Sequence, residues 1–425
     1  MSLVSSIESV RKWMYYLNEI TIYVENEKFT IPNERINAFN LSCQFEKNFF
    51  PVFSITIVLE SSRYYKILKN KKTATFRLNI GKVYKYNGSD EESLVRDFIN
   101  QNFSLILDDD DIDSNSSTKR LEASQNYESM MNSDDNDLFY TDNEVTFYLF
   151  PSDAINNSKT NVNAILKKCT MEDAVGYILS EAAFTKVLMT PFENTEEKDL
   201  IVIPPMQAFK AIQFLDTYYG FYRSGALYFN DFDYLYILKY NSDCSAYTSD
   251  EKQEVDIIIP DMTSEYITDL CGTLQDGDTY YNIVTIPSNI SFRNTTVSKN
   301  AISGVDVMTI DNYTGDIQKS NVNAETGSGT RNTSIMENET ENTWITDIHS
   351  SQTEMNSTVV NVILTDIDLS ALKPNRRYKI IFEDPLYTEK YNGIFMISGY
   401  EAKFVKKGLG LTMSAVCTLK RITTK

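Results

Sequence analysis

Apolar and polar residues alternate one by one along several runs near both ends of this chain. In the longest run, close to the C-terminus, the apolar positions are Leu409, Leu411, Met413, Ala415, Cys417 and Leu419. Shorter runs of the same kind cover residues 20–24, 53–59 and 74–80. Successive side chains of a strand point to opposite faces of a sheet, so this period predicts strands with one buried face. We therefore expect β-sheet at both ends of the chain.

The middle of the chain, about residues 160–275, has a helical period instead. Thr170 and Asp173 have the spacing of a capping box, in which each side chain binds the backbone N–H of the other residue. The apolar positions that follow share one face of a helix: Ala174, Val175, Ile178, Leu179 and Ala182. A helix capped by Thr170 is therefore predicted within a mixed α+β segment.

A second helix, a hairpin and a third strand are predicted to follow in this middle segment. Pro205 is a favoured first residue of a helix, and Gly220 is a favoured residue just beyond its end. The hairpin is expected to turn at Ser224–Gly225, because aromatic and apolar residues lie on both sides of this pair. Residues 234–238 are expected to form the third strand.

Two polar stretches interrupt the β-rich parts of the chain. The first, about residues 106–140, contains a run of aspartates and is rich in Ser and Asn. The second, about residues 320–357, is rich in Asn, Thr, Ser and Glu. Neither has enough apolar residues to build a core, so both are interpreted as insertions that folding does not require. The resulting domains are 1–158, 159–277 and 278–425, with β, α+β and β structure in turn.

The chain is strongly acidic, with a net charge of −19 over 425 residues. This excess of carboxylates argues against a protein that wraps nucleic acid, because such proteins bind phosphates through clustered Lys and Arg. Two explanations of the acidity remain open. Charge of one sign keeps a protein soluble, and carboxylates along a pore repel DNA that passes through it. The hydrophobic share of 42% is sufficient for packed cores in either case.

Cysteines and apolar segments bear on where the chain functions. The cysteines are Cys43, Cys169, Cys244, Cys271 and Cys417. An odd number without any CxxC pair is typical of a reducing folding environment and not of a zinc site. No run approaches the roughly 18 apolar residues of a membrane helix, and residues 1–24 carry charges that the apolar core of a signal peptide excludes. We expect no metal, no cofactor and no membrane insertion.

The residues of the common hydrolytic mechanisms are missing from this sequence or are poorly placed. His349 is the only histidine, so a Ser-His-Asp or Cys-His site would depend on a side chain within the second polar stretch. A glycosidase needs only two carboxylates, but among 59 acidic residues some pair fits any spacing. Asp231 and Asp233 are interpreted as turn residues. We predict a protein that is not an enzyme and has no catalytic residues.

Two further patterns could suggest a ligand site. The run that starts at Asp109 has the acidic spacing of a calcium-binding loop. Ser114 stands where that loop needs glycine, however, and Arg120 stands where it needs glutamate, so the motif is rejected. The aromatic run at 218–222 could stack against sugars or bases, but packing at the end of a helix explains it more simply. Neither pattern predicts a bound ligand.

Two longer stretches resemble a known protein family. In residues 203–231, a helical segment leads through Tyr-Tyr-Gly-Phe-Tyr at 218–222 to a predicted hairpin. In residues 372–421, Leu-Lys-Pro-Asn at 372–375 leads to a strand, and Tyr-Asn-Gly-Ile-Phe-Met-Ile at 391–397 precedes the long alternating strand. Both stretches resemble the baseplate hub proteins of contractile-tailed bacteriophages and the related spike hub module of type VI secretion systems.

The resemblance implies a fold, an assembly and a role. It implies two tube-forming β-barrel domains that flank the small α+β domain. Homotrimers would then present a ring of six barrels, which adapts the sixfold tail tube to the threefold spike. The partners would be the tail tube protein, the central spike protein and other baseplate proteins, and duplex DNA would pass through an acidic channel without specific binding. The protein would be assembled in the host cytoplasm and reside in the virion.

Other roles remain open at this point. A distal tail or tube-end protein would have the same virion location but would assemble as six copies and not three. A tail-associated hydrolase would degrade peptidoglycan, and an acidic adhesin would bind a surface ligand. The sequence does not identify which residues would face a channel.

Overall fold

The computed structural model describes most of the chain between residues 10 and 422. The described residues are 10–86, 96–105, 142–240, 254–260, 271–274, 280–294, 305–310, 317–322, 332–337, 342, 344–356, 358–384, 387, 391, 393–407 and 410–422. The first predicted polar insertion, about residues 106–140, lies outside them. The second, about residues 320–357, is described in part.

The described strands and helices lie in the order that follows. The strands are β1 (Val10–Val24), β2 (Glu27–Ile31), β3 (Ile36–Cys43), β4 (Val52–Glu60), β5 (Thr75–Tyr86), β6 (Arg96–Leu105), β7 (Asp142–Pro151), β8 (Asn161–Cys169), β9 (Val187–Met189), β10 (Lys198–Gln207), β11 (Ala226–Asn230), β12 (Leu235–Lys239), β13 (Glu254–Ile259), β14 (Gly272–Leu274), β15 (Tyr280–Val284), β16 (Ile290–Asn294), β17 (Val305–Ile310), β18 (Ile317–Val322), β19 (Asn332–Glu337), β20 (Thr358–Thr365), β21 (Arg377–Phe382), β22 (Ile394–Lys407) and β23 (Gly410–Arg421). The helices are α1 (Ser61–Lys69), α2 (Ser152–Lys159), α3 (Met171–Glu181), α4 (Ala208–Tyr219) and α5 (Ile345–Asn356).

Most of the described strands belong to one sheet that closes on itself. From β22 the pairing continues through β3, β4, β7, β6, β5, β1 and β23, and β23 pairs with β22 again. A wider circuit of 11 strands leaves β22 through β21, β13, β15 and β14 and rejoins the first at β1. The hairpin β22–β23 therefore belongs to the closed ring, and β22 belongs to both circuits. Closed pairing leaves no free strand edge within the ring.

The interior of the closed ring is filled with side chains. Phe53 of β4 contacts Phe103 of β6 across the intervening strand, with ring centroids 5.3 Å apart. Tyr15 of β1 contacts Phe404 of β22 at 5.3 Å. Burial of one such side chain contributes about 1.5–3 kcal/mol, so the ring interior is a packed core. The alternating apolar positions predicted at 20–24, 53–59, 74–80 and, where described, 411–419 are all buried in it, which confirms these strands.

The middle segment packs around a second core, separate from the ring interior. The predicted capping box is confirmed: Thr170 Oγ1 accepts from the Asp173 backbone N–H at 3.2 Å, and Asp173 accepts from the Thr170 N–H at 2.9 Å. Helix α3 follows it and packs against α4. Strands β8 and β10 form a two-stranded ribbon, and β11, β12 and β9 form a small sheet. The predicted mixed α+β structure is confirmed here.

Two details predicted for the middle segment are wrong. The second helix begins at Ala208 and not at Pro205, because β10 continues to Gln207 and its prolines sit at a bulge after Ile203. Prolines are tolerated there since neither has to donate a ladder hydrogen bond. The hairpin β11–β12 turns over residues 231–234 and not at Ser224–Gly225. The helix end at Gly220, which has φ of 80°, is confirmed.

Part of the second polar stretch is packed against the rest of the protein. Met355 in α5 is fully buried in the main core. The Asn342 side chain donates to the Asp216 carbonyl at 3.1 Å, and Trp344 lies over the Arg223 guanidinium at 5.4 Å. Residues 342–356 thus differ from the insertion expected from composition, because a few apolar side chains at helical spacing suffice to dock a polar helix.

The prediction of a β-rich α+β fold is confirmed. The closed ring draws β22 and β23 from the C-terminal part of the chain and its other strands from the N-terminal part. The arrangement of two barrels around an α+β domain remains a prediction, as do the boundaries 1–158, 159–277 and 278–425.

Candidate functional site

The outer face of the closed ring has an extended surface of uncharged side chains. It is formed by the outward residues of the five neighbouring strands β3, β4, β7, β6 and β5. We call this surface the neutral wall, and its polar members are Asn40, Ser42, Ser54, Thr56, Thr146, Tyr148, Asn100, Asn102, Ser104, Thr75 and Asn79. They share a face because they alternate with residues buried in the ring core.

Cross-strand pairs within the neutral wall satisfy one another. Thr56 and Thr146 are opposite in register, and their hydroxyl oxygens are 2.9 Å apart. Away from the wall's two ends, Arg77 is the only cationic side chain on this face among the described residues. Its guanidinium donates to the Asn100 amide oxygen at 3.2 Å. The wall therefore presents hydroxyls and amides, with almost no fixed charge.

One end of the neutral wall is acidic. Glu60 of β4 lies opposite Asp142 of β7, and Glu144 follows on the same face. Arg35 donates to Asp142 at 3.0 Å, and Asn37 donates to Glu144 at 2.8 Å. At the other end, β6 begins with Arg96 and Asp97, one residue of each sign. Carboxylates outnumber cations among the described outward residues of these five strands, which disfavours phosphate binding on this face.

The hairpin β22–β23 lies across the ring from β7 and has a different outer surface. Lys403, Val405 and Lys407 of β22 are exposed on this surface, and so is Val416 of β23. Lys406 shares the face of Phe404, and its Nζ donates to the Asn33 carbonyl. A strand face with several lysines can bind phosphates, unlike the neutral wall. The two outer faces of one ring thus differ in their expected response to a polyanion.

The β8–β10 ribbon exposes an apolar face. Ile165 is 69% exposed and pairs across the ribbon with Val202, which is 44% exposed. Leu200, next to them, is 49% exposed. Among the described residues each strand of the ribbon pairs only with the other, and the Asn163 carbonyl of β8 accepts from the Tyr177 hydroxyl at 3.2 Å. Neighbouring exposed apolar side chains are typical of surfaces that become covered on assembly.

Asp231 occupies a turn, as predicted, and organises it. Its carboxylate accepts from the backbone N–H groups of Asp233 and Tyr234, both at 2.7 Å. Tyr236 donates its hydroxyl at 3.0 Å, and Lys373 donates from the distant segment before β21. Burial acts to lower the pKa of Lys373, but the nearby Asp231 outweighs it and leaves that pKa raised. The carboxylate is thus a structural anchor, and the Lys373 partner could not be read from local spacing.

The aromatic run at 218–222 contributes to packing. Phe221 stacks on Phe192 with ring centroids 4.5 Å apart, and both Phe221 and Tyr222 are fully buried or nearly so. The Tyr222 hydroxyl donates to the Thr190 carbonyl at 2.6 Å. The Phe221 and Tyr222 rings are therefore closed to a stacked sugar or base, in agreement with the packing interpretation, whereas Tyr218 and Tyr219 are half-buried.

A cleft of about 360 Å³ lies between the β3–β4 connection, α4 and β11. Its ionisable groups include Glu46, which is ion-paired with Lys420 and accepts from the Tyr240 hydroxyl at 2.9 Å. Burial and the nearby Glu46 carboxylate raise the Tyr240 pKa. These groups are held as partners of one another, an arrangement that serves packing between segments.

The described residues bear on the predictions about a metal site, a membrane helix and His349. Among those residues, no group of three or more His, Cys, Asp or Glu side chains has the geometry of a metal site. The helices they form include none with the length and apolar character of a membrane span. His349 lies in α5. The aspartates of the rejected calcium motif lie outside the described residues.

A protein-family model matches nearly the whole chain. The family model described as the bacteriophage PBS1 gene 109 protein matches residues 4–422. The chain belongs to this family. The resemblance to bacteriophage proteins drawn from residues 203–231 and 372–421 is thereby confirmed. No curated protein matches the chain.

Several solved structures are similar to this member of the gene 109 family. A tail protein from Neisseria meningitidis MC58 is 10% identical with a TM-score of 0.48, over 96% of this chain and 97% of that chain. The 43 kDa tail protein of prophage MuSo2 from Shewanella oneidensis is 11% identical with a TM-score of 0.48, over 95% and 98% of the two chains. The lidded Francisella PdpA–VgrG complex is 11% identical with a TM-score of 0.49, over 100% and 55%.

Proposed function

We propose that this chain is a structural protein of a bacteriophage tail baseplate and that it forms the central hub. The observation that carries the proposal is the closed ring with its packed interior, in a member of a bacteriophage family. A single copy has no passage through the ring, because aromatic side chains fill it. A channel would therefore have to lie between several copies, as in the trimers that the sequence resemblance implies.

The trimer would place barrels around a central opening. Each subunit would contribute the closed ring and a second barrel that includes β13, β21 and the shared hairpin β22–β23. Three subunits then give six units around the axis, which suits a sixfold tail tube on one side and a threefold spike on the other. The acidic net charge of −19 and the neutral wall both favour free passage of duplex DNA.

The partners follow from this position in the particle. The tail tube protein, the central spike protein and other baseplate proteins would contact the ring, and the exposed apolar face of the β8–β10 ribbon is a surface suited to such contacts. The protein would assemble in the host cytoplasm and reside in the virion. It would act without a cofactor and without a catalytic residue.

Copy number and shape test this proposal. Native mass spectrometry of the purified chain should give three copies, and single-particle images should show a ring with a central hole wide enough for duplex DNA. Six copies would favour a distal tail or tube-end protein. A monomer at all concentrations, or a particle without a hole, would contradict a hub. Release of fragments from purified peptidoglycan would instead support a tail-associated hydrolase.

A further inference from the structure

We infer that the central part of the neutral wall, on the three adjacent strands β4, β7 and β6, faces the DNA in the assembled particle. This inference rests on the proposed hub function and adds the identity of the channel lining. It concerns the outward side chains of β4, β7 and β6, most of which carry hydroxyls or amides. Among the described residues between the ends of these strands, none of the outward side chains is that of Asp, Glu, Lys or Arg.

The charge distribution on the wall is what a channel for DNA requires. Duplex DNA carries one negative charge per about 1.7 Å of length, and each unpaired Lys or Arg that reaches a phosphate releases counterions and adds affinity. A moving duplex would meet such a cation repeatedly and would be held. Arg77 lies on the next strand, β5, and its guanidinium donates to Asn100 at 3.2 Å, so part of it is already engaged.

Short side chains give the wall a second suitable property. Ser54, Thr56 and Thr146 project only one or two heavy atoms beyond Cβ, and the larger Tyr148 side chain lies opposite Ser54. One of the Thr56 and Thr146 hydroxyls donates to the other across 2.9 Å, so one of their two protons is already engaged. Hydroxyls that are already paired have less capacity to hold a phosphate oxygen.

The outer face of the hairpin β22–β23 in the same ring carries lysines, so the uncharged surface is confined to part of the ring. β22, which borders β3 and lies three strands from β7, exposes Lys403 and Lys407 on its outer face, and Lys403 is opposite Asn40. The outer faces of strands on opposite sides of a closed ring point in opposite directions. If β4, β7 and β6 face the channel, the outer face of the hairpin β22–β23, on the far side of the ring from them, points away from it. The acidic end formed by Glu60, Asp142 and Glu144 would lie at one mouth of the channel and repel DNA from the wall.

Lysine substitutions at matched positions test the direction of the wall. The wall variant combines Ser54→Lys and Thr56→Lys, and the control combines Thr412→Lys and Ser414→Lys on the outer face of β23. All four positions are half-buried and carry short hydroxyl side chains. A fluorescent linear duplex of mixed sequence is the probe, and its anisotropy is measured against each assembled variant at several salt concentrations.

The wall variant should bind the duplex at least about tenfold more tightly than the control. Two lysines in each of three subunits converge on one axis, and six phosphate contacts give a log–log salt slope of about −5. The unmodified protein should not bind. Equal binding by the two variants, or tighter binding by the control, would overturn the inference. Failure of the wall variant to assemble would place the wall at a subunit contact and would overturn it as well.

Cysteine labelling is a second test of which way the wall faces, and it changes only one side chain of the wall. In a chain with Cys169→Ser and Cys244→Ser, a Ser54→Cys residue should react with a small maleimide in the assembled ring. A maleimide carried on a protein-sized polymer should react with it only after dissociation, whereas Ser414→Cys should react with both reagents in the ring. Reaction of Ser54→Cys with the large reagent would show an outward wall. If native mass spectrometry shows no trimer, the proposed hub itself fails, and this outcome is separate from a wrong wall.

Discussion

Replacement of Met413 by aspartate should abolish stable folding, whereas the same change at the adjacent Thr412 should have little effect. Met413 is 2% exposed and points into the ring core, and Thr412 lies on the outer face of β23. Loss of the buried side chain costs about 1.5–3 kcal/mol. A buried carboxyl group without hydrogen bonds adds about 2–7 kcal/mol. The sum approaches the whole stability of a domain, about 5–15 kcal/mol.

Soluble yield and urea unfolding, followed by circular dichroism, measure both effects. Thr412→Asp loses only a long hydrogen bond of 3.3 Å to the Val405 carbonyl, so its midpoint should stay near that of the unmodified protein. Met413→Ala gives a graded version if Met413→Asp yields no soluble protein, with an expected loss of about 2–5 kcal/mol. Equal destabilisation by the two aspartates would refute the assignment of the buried face.

Three further changes test particular contacts by urea unfolding. Gly220→Ala should destabilise by about 1–3 kcal/mol, because φ is 80° and the new Cβ would lie 2.7 Å from Asn342 Oδ1; an unchanged midpoint would contradict this contact. Lys373→Met should cost about 3–5 kcal/mol by leaving Asp231 buried and unpaired, and a neutral result would contradict the anchor. Burial raises the pKa of Asp216 above 3.8, so stability should fall as pH rises through the folded-state pKa. Asp216→Asn should remove this decrease of stability with pH. An unaltered profile of stability against pH would exclude the Asp216 carboxyl as the cause of the decrease.

The sequence predicted those strands and helices that depend only on residues close together in the chain. The alternation at 53–59 and 411–419 follows directly from the pleat of a strand, and the buried positions in both runs agree with it. The Thr170 capping box likewise needs only residues three positions apart. The outward residues of β4 and β5 were contained in the alternations at 53–59 and 74–80, as the complement of the buried set, whereas β3 and β6 lie outside the predicted runs.

The alternation of apolar residues along a strand does not specify which other strand it pairs with. Tyr15 pairs with Leu411, and Cys43 pairs with Tyr400, and no local pattern specifies which strand lies beside which. The end of β10 was misread because Pro205 favours a helix start but is equally tolerated at a bulge of an edge strand. Helix α5 was missed because an excess of polar residues concealed the few side chains that dock it.

The use of both parts of the chain in one ring has a consequence for the timing of folding. Strand β3 ends at Cys43, and its neighbour β22 begins at Ile394. A ribosome that adds about 5–20 residues per second needs about 20–70 s to cover that interval. Until then the edges of β1 and β3 that receive the hairpin are open to other strands. Ring closure is thus a late event. A chain whose strands β22 and β23 have not yet been synthesised has no complete ring surface on which a neighbouring subunit could assemble.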